Sequence, residues 1–157
     1  MTARIAPLCF DGMEYDLALD IADMHDALVS DRGFCPPMPE SQLDEAVGRV
    51  ASVVSASFGS FFGVSPRERY GDLFDQIADF AEHLSKDHIF PDANKRTTVA
   101  ASISILRTAG CTLDMEDAAD PEDNALYDWI QDVVTGGKST SELAEVLRSH
   151  AVPLRRP

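Results

Sequence analysis

Apolar side chains recur at steps of three and four residues in six stretches of this 157-residue sequence, a spacing that places them on one face of an α-helix. The first stretch carries Leu17, Ile21, Met24 and Leu28. The other five lie at residues 43–54, 73–84, 99–106, 126–133 and 143–147. No series of segments alternates apolar and polar residues as strands would. The sequence therefore predicts an all-α fold, a single compact domain of six or so helices with a full core.

Departures from the helical spacing give the predicted limits of this domain. Residues 1–14 show no periodicity and are predicted to form an N-terminal arm, residues 15–150 hold the helices, and residues 151–157 are predicted to be a flexible tail. Capping residues mark three predicted helix starts, namely Ser41 with Asp44, Asp120 with Pro121, and Ser139 with Glu142. Gly110 is predicted to end the fourth helix as its C-terminal cap.

Charge and composition limit the kinds of partner that the protein is expected to bind. The formal net charge of −14, from 27 acidic and 13 basic residues, argues against direct nucleic-acid binding and against anionic membrane surfaces. It leaves room for a basic protein partner, although an acidic surface also serves solubility alone. Cys9, Cys35 and Cys111 form no CxxC pair or zinc-ligand spacing, which is typical of reduced thiols. With no signal-peptide pattern and no long apolar run, the sequence predicts a cytoplasmic protein without a membrane span.

An irregular, aromatic-rich segment, residues 57–71, interrupts the helical pattern. It contains three glycines, one proline and the aromatic residues Phe58, Phe61, Phe62 and Tyr70. In one interpretation these aromatic side chains fold back onto the core, which is the common fate of phenylalanine. In the other, Phe61 and Phe62 belong to a mobile flap that docks a protein target.

Residues 88–97, with the sequence HIFPDANKRT, join the third and fourth predicted helices. Pro91 and the polar residues after it break the helical pattern. Asn94 is a favoured N-cap residue, so the next helix is predicted to start from it. The start of that helix is predicted to bind a phosphate. Its backbone N–H groups and the positive end of its dipole point towards the loop, and Lys95 and Arg96 lie in its first turn.

The other side chains of this loop suggest a base and a metal ligand. An imidazole at His88 can accept a proton at neutral pH, as activation of a hydroxyl nucleophile requires. Asp92 either caps the following helix or holds Mg²⁺, which favours one or two carboxylates plus phosphate oxygens. Ile89 and Phe90 offer no chemistry and are predicted to pin the loop to the core. Spacing alone thus predicts a phosphate-handling loop with a nearby base.

The same ten residues resemble the signature of the Fic/Doc family, whose general form is H-x-F-x-[DE]-[GA]-N-[GK]-R. Phe90 and Ala93 occupy structural positions of that motif, and Ala93 and Lys95 are similar to the Doc branch, the death-on-curing toxins of toxin–antitoxin pairs. The resemblance extends over residues 15–150, nearly the whole chain. It implies a Fic fold with the motif loop between two central helices.

The resemblance also implies an activity and roles for the motif residues. Doc-like members place the γ-phosphate of ATP on a threonine of elongation factor Tu and so arrest translation, whereas most of the family transfers AMP to a protein hydroxyl. By this resemblance His88 would deprotonate the target hydroxyl and Asp92 would bind Mg²⁺. Asn94, Lys95 and Arg96 would hold the phosphates of ATP. Lys95 replaces the glycine of many AMP-transferring members, and its long side chain would crowd the pocket and favour a reversed ATP.

Several alternatives remain open on sequence grounds. Adenylyl transfer on the same fold is the enzymatic alternative, and a non-catalytic binding module is the alternative of another class. Some family members carry an inhibitory helix with the pattern [ST]-x-x-x-E-[GN]. Ser141 and Glu145 match its first part but Val146 does not match its last, so we expect no internal inhibitor. The resemblance then implies control in trans by a cognate antitoxin, and the acidic surface suits a basic segment that folds on binding.

Overall fold

A computed structural model describes residues 4–32, 38–115 and 125–154 of the chain. Seven helices lie within these ranges: α1 (Glu14–Arg32), α2 (Glu40–Phe58), α3 (Pro66–Arg69), α4 (Leu73–Lys86), α5 (Asn94–Thr108), α6 (Ala125–Val134) and α7 (Thr140–His150). Two short strands, β1 (Cys111–Leu113) and β2 (Ala151–Pro153), complete the regular structure. The prediction of a compact all-α fold is confirmed, and the helix beyond the predicted six is the four-residue α3. None of the helices in these ranges is long and apolar enough to cross a membrane.

Helix α4 lies at the centre of the fold. It packs against α2, α5, α6 and α7, which explains why its apolar stripe is wide in the sequence. Phe74, Ile77 and Phe80 are fully buried, and each such side chain contributes about 1.5–3 kcal/mol of burial free energy. The Phe80 ring meets the edge of Phe58, the last residue of α2, at a centroid distance of 5.2 Å. The loop that follows α4 therefore starts from the most firmly packed element of the fold.

The two strands pair antiparallel at the edge of the helical domain. Cys111 lies opposite Pro153 and Leu113 opposite Ala151. The sequence predicts an extended connection after Gly110 but gives no sign of the pairing, because three residues are too few to show an alternation. Strand β2 lies within the segment predicted to be the tail.

The start of the described chain lies against the core. The buried side chain of Gln76 accepts a hydrogen bond from the Leu8 N–H at 2.8 Å and donates to the Leu8 carbonyl at 2.7 Å. It also donates to the Ser57 carbonyl at 2.9 Å. The Phe10 ring stacks on Phe58 with centroids 5.0 Å apart. One amide side chain thus satisfies backbone groups from two segments that would otherwise be buried without partners.

Helix ends follow the predicted signals in part. The capping box of α7 is confirmed, because Ser139 accepts from the Glu142 N–H and Glu142 accepts in return from the Ser139 N–H. The predicted start of α2 at Ser41 is wrong. That helix begins at Glu40, and its N-cap residue, Pro39, makes no side-chain cap hydrogen bond.

Two further helix-end predictions concern the second half of the chain. Gly110 adopts a left-handed φ of 84° immediately after the C-cap residue Ala109, which confirms it as the residue that ends α5. The predicted start at Asp120 and Pro121 lies outside the described residues.

Within the aromatic-rich segment, Phe58 lies in the core, whereas Phe61 and Phe62 are exposed. Phe58 is buried at the end of α2, as expected if it folds onto the core. Phe61 and Val64 form a single β-bridge around a tip, where Phe62 is fully exposed and has a φ of 50°. Arg69 supports this tip by donating to backbone carbonyls of the α2 end and by stacking over the Phe61 ring.

A buried ion pair joins α7 to the start of α4. Arg148 donates to both carboxylate oxygens of Asp72, at 2.7 and 3.0 Å, and Asp72 also caps α4 through the Asp75 N–H. Burial alone would raise the pKa of Asp72, but the hydrogen bonds from Arg148 and Asp75 and the guanidinium charge together lower it below its usual value. The hydrogen bond from Arg148 to Asp72 in turn raises the Arg148 pKa, so the pair is charged at neutral pH.

Candidate active site

The loop between α4 and α5 has a left-handed residue near each end. His88 has a φ of 47° and Ala93 a φ of 62°, although neither is glycine. A side chain in this region costs about 1–2 kcal/mol per residue, and such conformations concentrate at functional sites. The surrounding contacts must therefore hold the loop in this shape.

His88 directly follows the C-cap of α4. The cap residue Asp87 donates its N–H to the His83 carbonyl at 3.1 Å, and its own carbonyl accepts a hydrogen bond from Arg49 of α2 at 2.7 Å. His88 then takes the left-handed position that glycine usually occupies after a helix. Because this backbone turns out of the helix axis, the His88 side chain is exposed at the surface of the loop.

Asn94 closes the loop and does not cap α5. The N-cap residue is Ala93, and Asn94 is the first residue of the helix, so the predicted cap role of Asn94 is wrong. Its side-chain oxygen accepts from the Phe90 N–H at 3.0 Å, and its side-chain nitrogen donates to the Phe90 carbonyl at 2.8 Å. The amide still has a second N–H to offer a ligand.

Phe90 and Ile89 anchor the middle of the loop in the core, where both are buried. The Phe90 ring stacks on His25 of α1 with centroids 4.0 Å apart and planes 10° apart. His25 is itself only 2% exposed, and its Nε2 lies 3.0 Å from the Asp92 carbonyl oxygen. His25 thus contacts the loop through both its ring face and one ring nitrogen.

Asp92 presents its carboxylate at the mouth of a cleft. Its Oδ1 accepts from the Ala93 N–H at 2.7 Å and lies 3.5 Å from Arg96 Nη2, and half of the side chain is exposed. Within the described ranges, no three His, Cys, Asp or Glu side chains group closely enough to hold a metal ion by themselves. A single accessible carboxylate does fit Mg²⁺ that arrives with phosphate oxygens, since that ion keeps several water or phosphate ligands.

This cleft has a volume of about 220 Å³ and gathers most of the predicted site residues. Its lining residues are Ser85, His88, Pro91, Asp92, Ala93, Asn94, Lys95, Arg96 and Tyr127. The first turn of α5 contributes backbone N–H groups and two cations, with no acidic residue in that turn. The electrostatics of this cleft, which we call the anion cleft, favour a phosphate group.

A second cleft of about 280 Å³ lies on the other side of the same loop. Its lining residues are Met38, Gln42, Glu45, Ala46, Arg49, His88, Ile89, Phe90 and Pro91. We call it the α2 cleft, because α2 provides most of its outer wall. His88 and Pro91 line both clefts, so the imidazole lies at the boundary between them.

Sequence reasoning gave no role at the site to three residues that shape it. Arg49 and His25 hold backbone carbonyls of the loop, and Tyr127 of α6 lines the anion cleft. Nothing in the local spacing of Arg49 or Tyr127 marks either residue, because each approaches the loop from a distant segment. His25 does carry a signal, since it lies one position after an apolar residue on a buried helix.

The structure does not bring Phe61 and Phe62 to either cleft. Glu45, in the first turns of α2, lines the α2 cleft, whereas the aromatic tip follows Phe58 at the other end of that helix. Arg49, the residue of that cleft nearest to Phe58 along α2, lies nine residues before it, which is about 14 Å at 1.5 Å per residue. Neither aromatic side chain of the tip therefore lines a cleft that contains His88.

Glu145 also lies away from the motif. It accepts from Arg148 at 2.6 Å, next to Asp72 at the start of α4, whereas Arg96 lies beyond the other end of α4. In this structure Glu145 is engaged with Arg148.

Comparison with known proteins places this site in a family. A model of the Fic/DOC family matches residues 17–106, which include most of α1, all of α2 to α4, the loop and most of α5. The chain therefore belongs to the Fic/Doc family, as the resemblance of its motif predicts. It is similar to the protein kinase doc of Escherichia phage P1, with 32% identity over 130 residues that cover 82% of this chain and 89% of that relative.

Proposed function

We propose that this protein is a Doc-like toxin that transfers the γ-phosphate of ATP to a threonine hydroxyl of a translation factor such as elongation factor Tu and thereby arrests translation. The observation that carries the proposal is the position of His88 between an anion cleft and a second open cleft. A transferase that joins two substrates needs such an arrangement, with one group in reach of both. Similarity to a relative named as a protein kinase favours phosphoryl transfer over adenylyl transfer.

The anion cleft is proposed to take the phosphates of ATP. Lys95 and Arg96 would neutralise phosphate oxygens, and the second side-chain N–H of Asn94 would donate to one of them. At about 220 Å³ the cleft is smaller than the ~300 Å³ or more that is usual for a complete small-molecule site. We therefore expect it to hold the phosphate chain, with the nucleoside extending beyond it.

Asp92 is proposed to hold Mg²⁺ at the mouth of the anion cleft. Bound there, the ion would supply charge neutralisation for the phosphates. Asp92 Oδ1 already accepts from the Ala93 N–H, which restrains the carboxylate, and Oδ2 would face the ion. The residue thus orients its own backbone and a ligand at the same time.

His88 is proposed to act as the general base. A threonine side chain entering through the α2 cleft would donate its hydroxyl proton to the imidazole as the new O–P bond forms. The bond between the γ-phosphorus and the β–γ bridging oxygen would break, and ADP would leave. Because the His88 backbone is held by the α4 cap and by Arg49, the imidazole would be positioned before the substrates bind.

The proposal also covers partners and place of action. Toxins of this branch are held inactive by an antitoxin, and the net charge of −14 suits a partner with a basic segment. Because Glu145 is paired with Arg148 in the structure, control from outside the chain is the simpler arrangement. A translation factor as target requires the protein to act in the cytoplasm.

Labelled ATP tests the proposal. The purified protein is incubated with cell extract and ATP carrying the label at either the α or the γ position. We expect protein-bound label from the γ position only, and its loss in His88→Ala. A His83→Ala variant is a matched control, since His83 is an exposed histidine in the last turn of α4, just before the loop, and lines neither the anion cleft nor the α2 cleft.

Two outcomes would refute the proposal, and each would favour one of its alternatives. Label from the α position alone would identify an adenylyltransferase on the same fold. If neither label is transferred and His88→Ala still arrests growth as strongly as the parent, the protein acts by binding and not by catalysis.

A further inference from the structure

A buried histidine outside the motif contacts the loop at its most constrained peptide. His25 lies on α1, sixty-seven positions before Asp92, and its Nε2 is 3.0 Å from the Asp92 carbonyl oxygen. A carbonyl oxygen can only accept, so Nε2 carries a proton and donates it. The Asp26 carboxylate lies 3.3 Å from the other ring nitrogen, and Phe90 stacks on the ring face.

The peptide between Asp92 and Ala93 is thereby held at both ends. Its carbonyl oxygen accepts from His25, and its N–H donates to the Asp92 side chain at 2.7 Å. Rotation of this peptide is the movement that would relieve the left-handed conformation of Ala93, and the two hydrogen bonds oppose it. The His25 contact is the only one of the two that comes from outside the loop.

The orientation of this peptide decides the geometry of the anion cleft. Ala93 is the N-cap residue of α5, so its conformation sets the direction of the first helical turn. That turn contains Asn94, Lys95 and Arg96, which line the cleft. A rotated peptide would also take from the Asp92 carboxylate the N–H that restrains it.

We infer that His25 is a positioning residue, which acts through the Asp92–Ala93 peptide to preorganise the anion cleft for the phosphates of ATP. The phosphate part of this inference rests on the proposed function, whereas the control of the peptide rests on the hydrogen bonds alone. Packing by itself does not explain the residue. A phenylalanine could stack on Phe90 equally well, but it could not satisfy the Asp92 carbonyl.

Three substitutions separate the hydrogen bond from the packing. His25→Phe keeps the ring and removes the donor. His25→Gln places a side-chain N–H at about the reach of Nε2 and removes the stacking, and His25→Asn is polar but too short to reach the Asp92 carbonyl. The comparison of Gln with Asn remains valid even if the Phe variant folds poorly.

Amide hydrogen exchange of Ala93, measured by NMR, reports on the peptide directly. We expect exchange at least tenfold faster in His25→Phe and His25→Asn, and close to the parent in His25→Gln. The Asp75 amide is the internal control, because it is held by Asp72 at the far end of α4 and reports general loss of stability. Equal acceleration at Ala93 and Asp75, or no rescue by glutamine, would overturn the inference.

Calorimetric titration with MgATP tests the consequence for the anion cleft. We expect the dissociation constant to rise about tenfold or more in the Phe and Asn variants and to be largely restored in the Gln variant. Unchanged MgATP affinity in variants with fast Ala93 exchange would contradict the role in phosphate binding. If the parent protein does not bind MgATP at all, the proposed function fails, and the exchange measurement still decides what His25 does.

Discussion

His88 occupies a backbone conformation that favours glycine, and this has a measurable effect on stability. The left-handed φ of 47° costs about 1–2 kcal/mol for a residue with a Cβ atom. Replacement by glycine removes that cost but adds about 0.5–1 kcal/mol of backbone entropy to the unfolded chain. At mid-range the net gain from His88→Gly over His88→Ala is therefore about 0.75 kcal/mol, with extremes of about 0 and 1.5 kcal/mol. For a chain of this length the mid-range value corresponds to roughly 1.5–3 °C in the melting temperature.

The comparison of alanine with glycine isolates the backbone. Both variants lose the exposed imidazole, so any difference in the free energy of unfolding comes from the Cβ atom and the chain entropy. His83 provides the matched control, because it is an exposed histidine inside α4 with helical geometry. There, glycine should be less stable than alanine by about 1 kcal/mol.

Urea unfolding followed by circular dichroism at 222 nm measures all four variants. The prediction is an opposite sign for the alanine-to-glycine step at the two positions. If glycine destabilises position 88 as much as position 83, the loop does not store backbone strain and the reasoning is refuted. Both His88 variants should be inactive in phosphate transfer, which would show that strain is retained there for function.

Three other predictions concern the scaffold and the anion cleft. Arg148→Met leaves the buried Asp72 carboxylate without its partner and should cost about 2–4 kcal/mol of unfolding free energy, whereas Glu145→Gln, on the exposed side, should cost under ~0.5 kcal/mol. Because the pKa of Asp72 is lowered in the folded state, its stabilisation is fully present above about pH 3.9 and is lost as the pH falls through the folded-state pKa. Asp72→Asn should therefore flatten the acid slope of stability, and an unchanged slope would contradict that assignment. Lys95→Gly should lower transfer from the γ position about tenfold or more, measured with labelled ATP, and undiminished transfer would exclude a phosphate contact of Lys95.

Much of the fold follows from patterns that are local in sequence. Helical spacing predicts every described helix except α3, and α4 shows its central position in advance because its apolar stripe is wide. The capping pair Ser139 and Glu142 also works as predicted, since both partners lie within one turn. Strand pairing between Cys111–Leu113 and Ala151–Pro153 could not be predicted, because it joins short segments that are distant in sequence.

In the site, too, local sequence predicts some features, whereas others depend on contacts between distant segments. The motif itself predicts that Asp92, Lys95 and Arg96 share a cleft with His88, and the structure places them there. The contacts that hold the loop could not be predicted, because Arg49 and His25 reach it across 38 and 67 positions of sequence.

For Asn94 the prediction gave the right kind of interaction, a backbone N–H donating to the side-chain oxygen, but the wrong donor. An asparagine at this place suggests a helix N-cap, whereas its side chain hydrogen-bonds to the backbone of Phe90, four residues earlier. The left-handed turn at Ala93 causes the difference, because it shifts the cap by one residue.

The central claim is that His88 activates a protein hydroxyl towards the γ-phosphate of ATP. It is tested most directly by quantitative transfer of label from γ-labelled ATP to protein in cell extract, with the parent, His83→Ala and His88→Ala compared at equal folded concentration. The account predicts equal labelling by the parent and His83→Ala, a loss of about 100-fold or more in His88→Ala, and no label from the α position. Labelling by His88→Ala at the parental rate would contradict it.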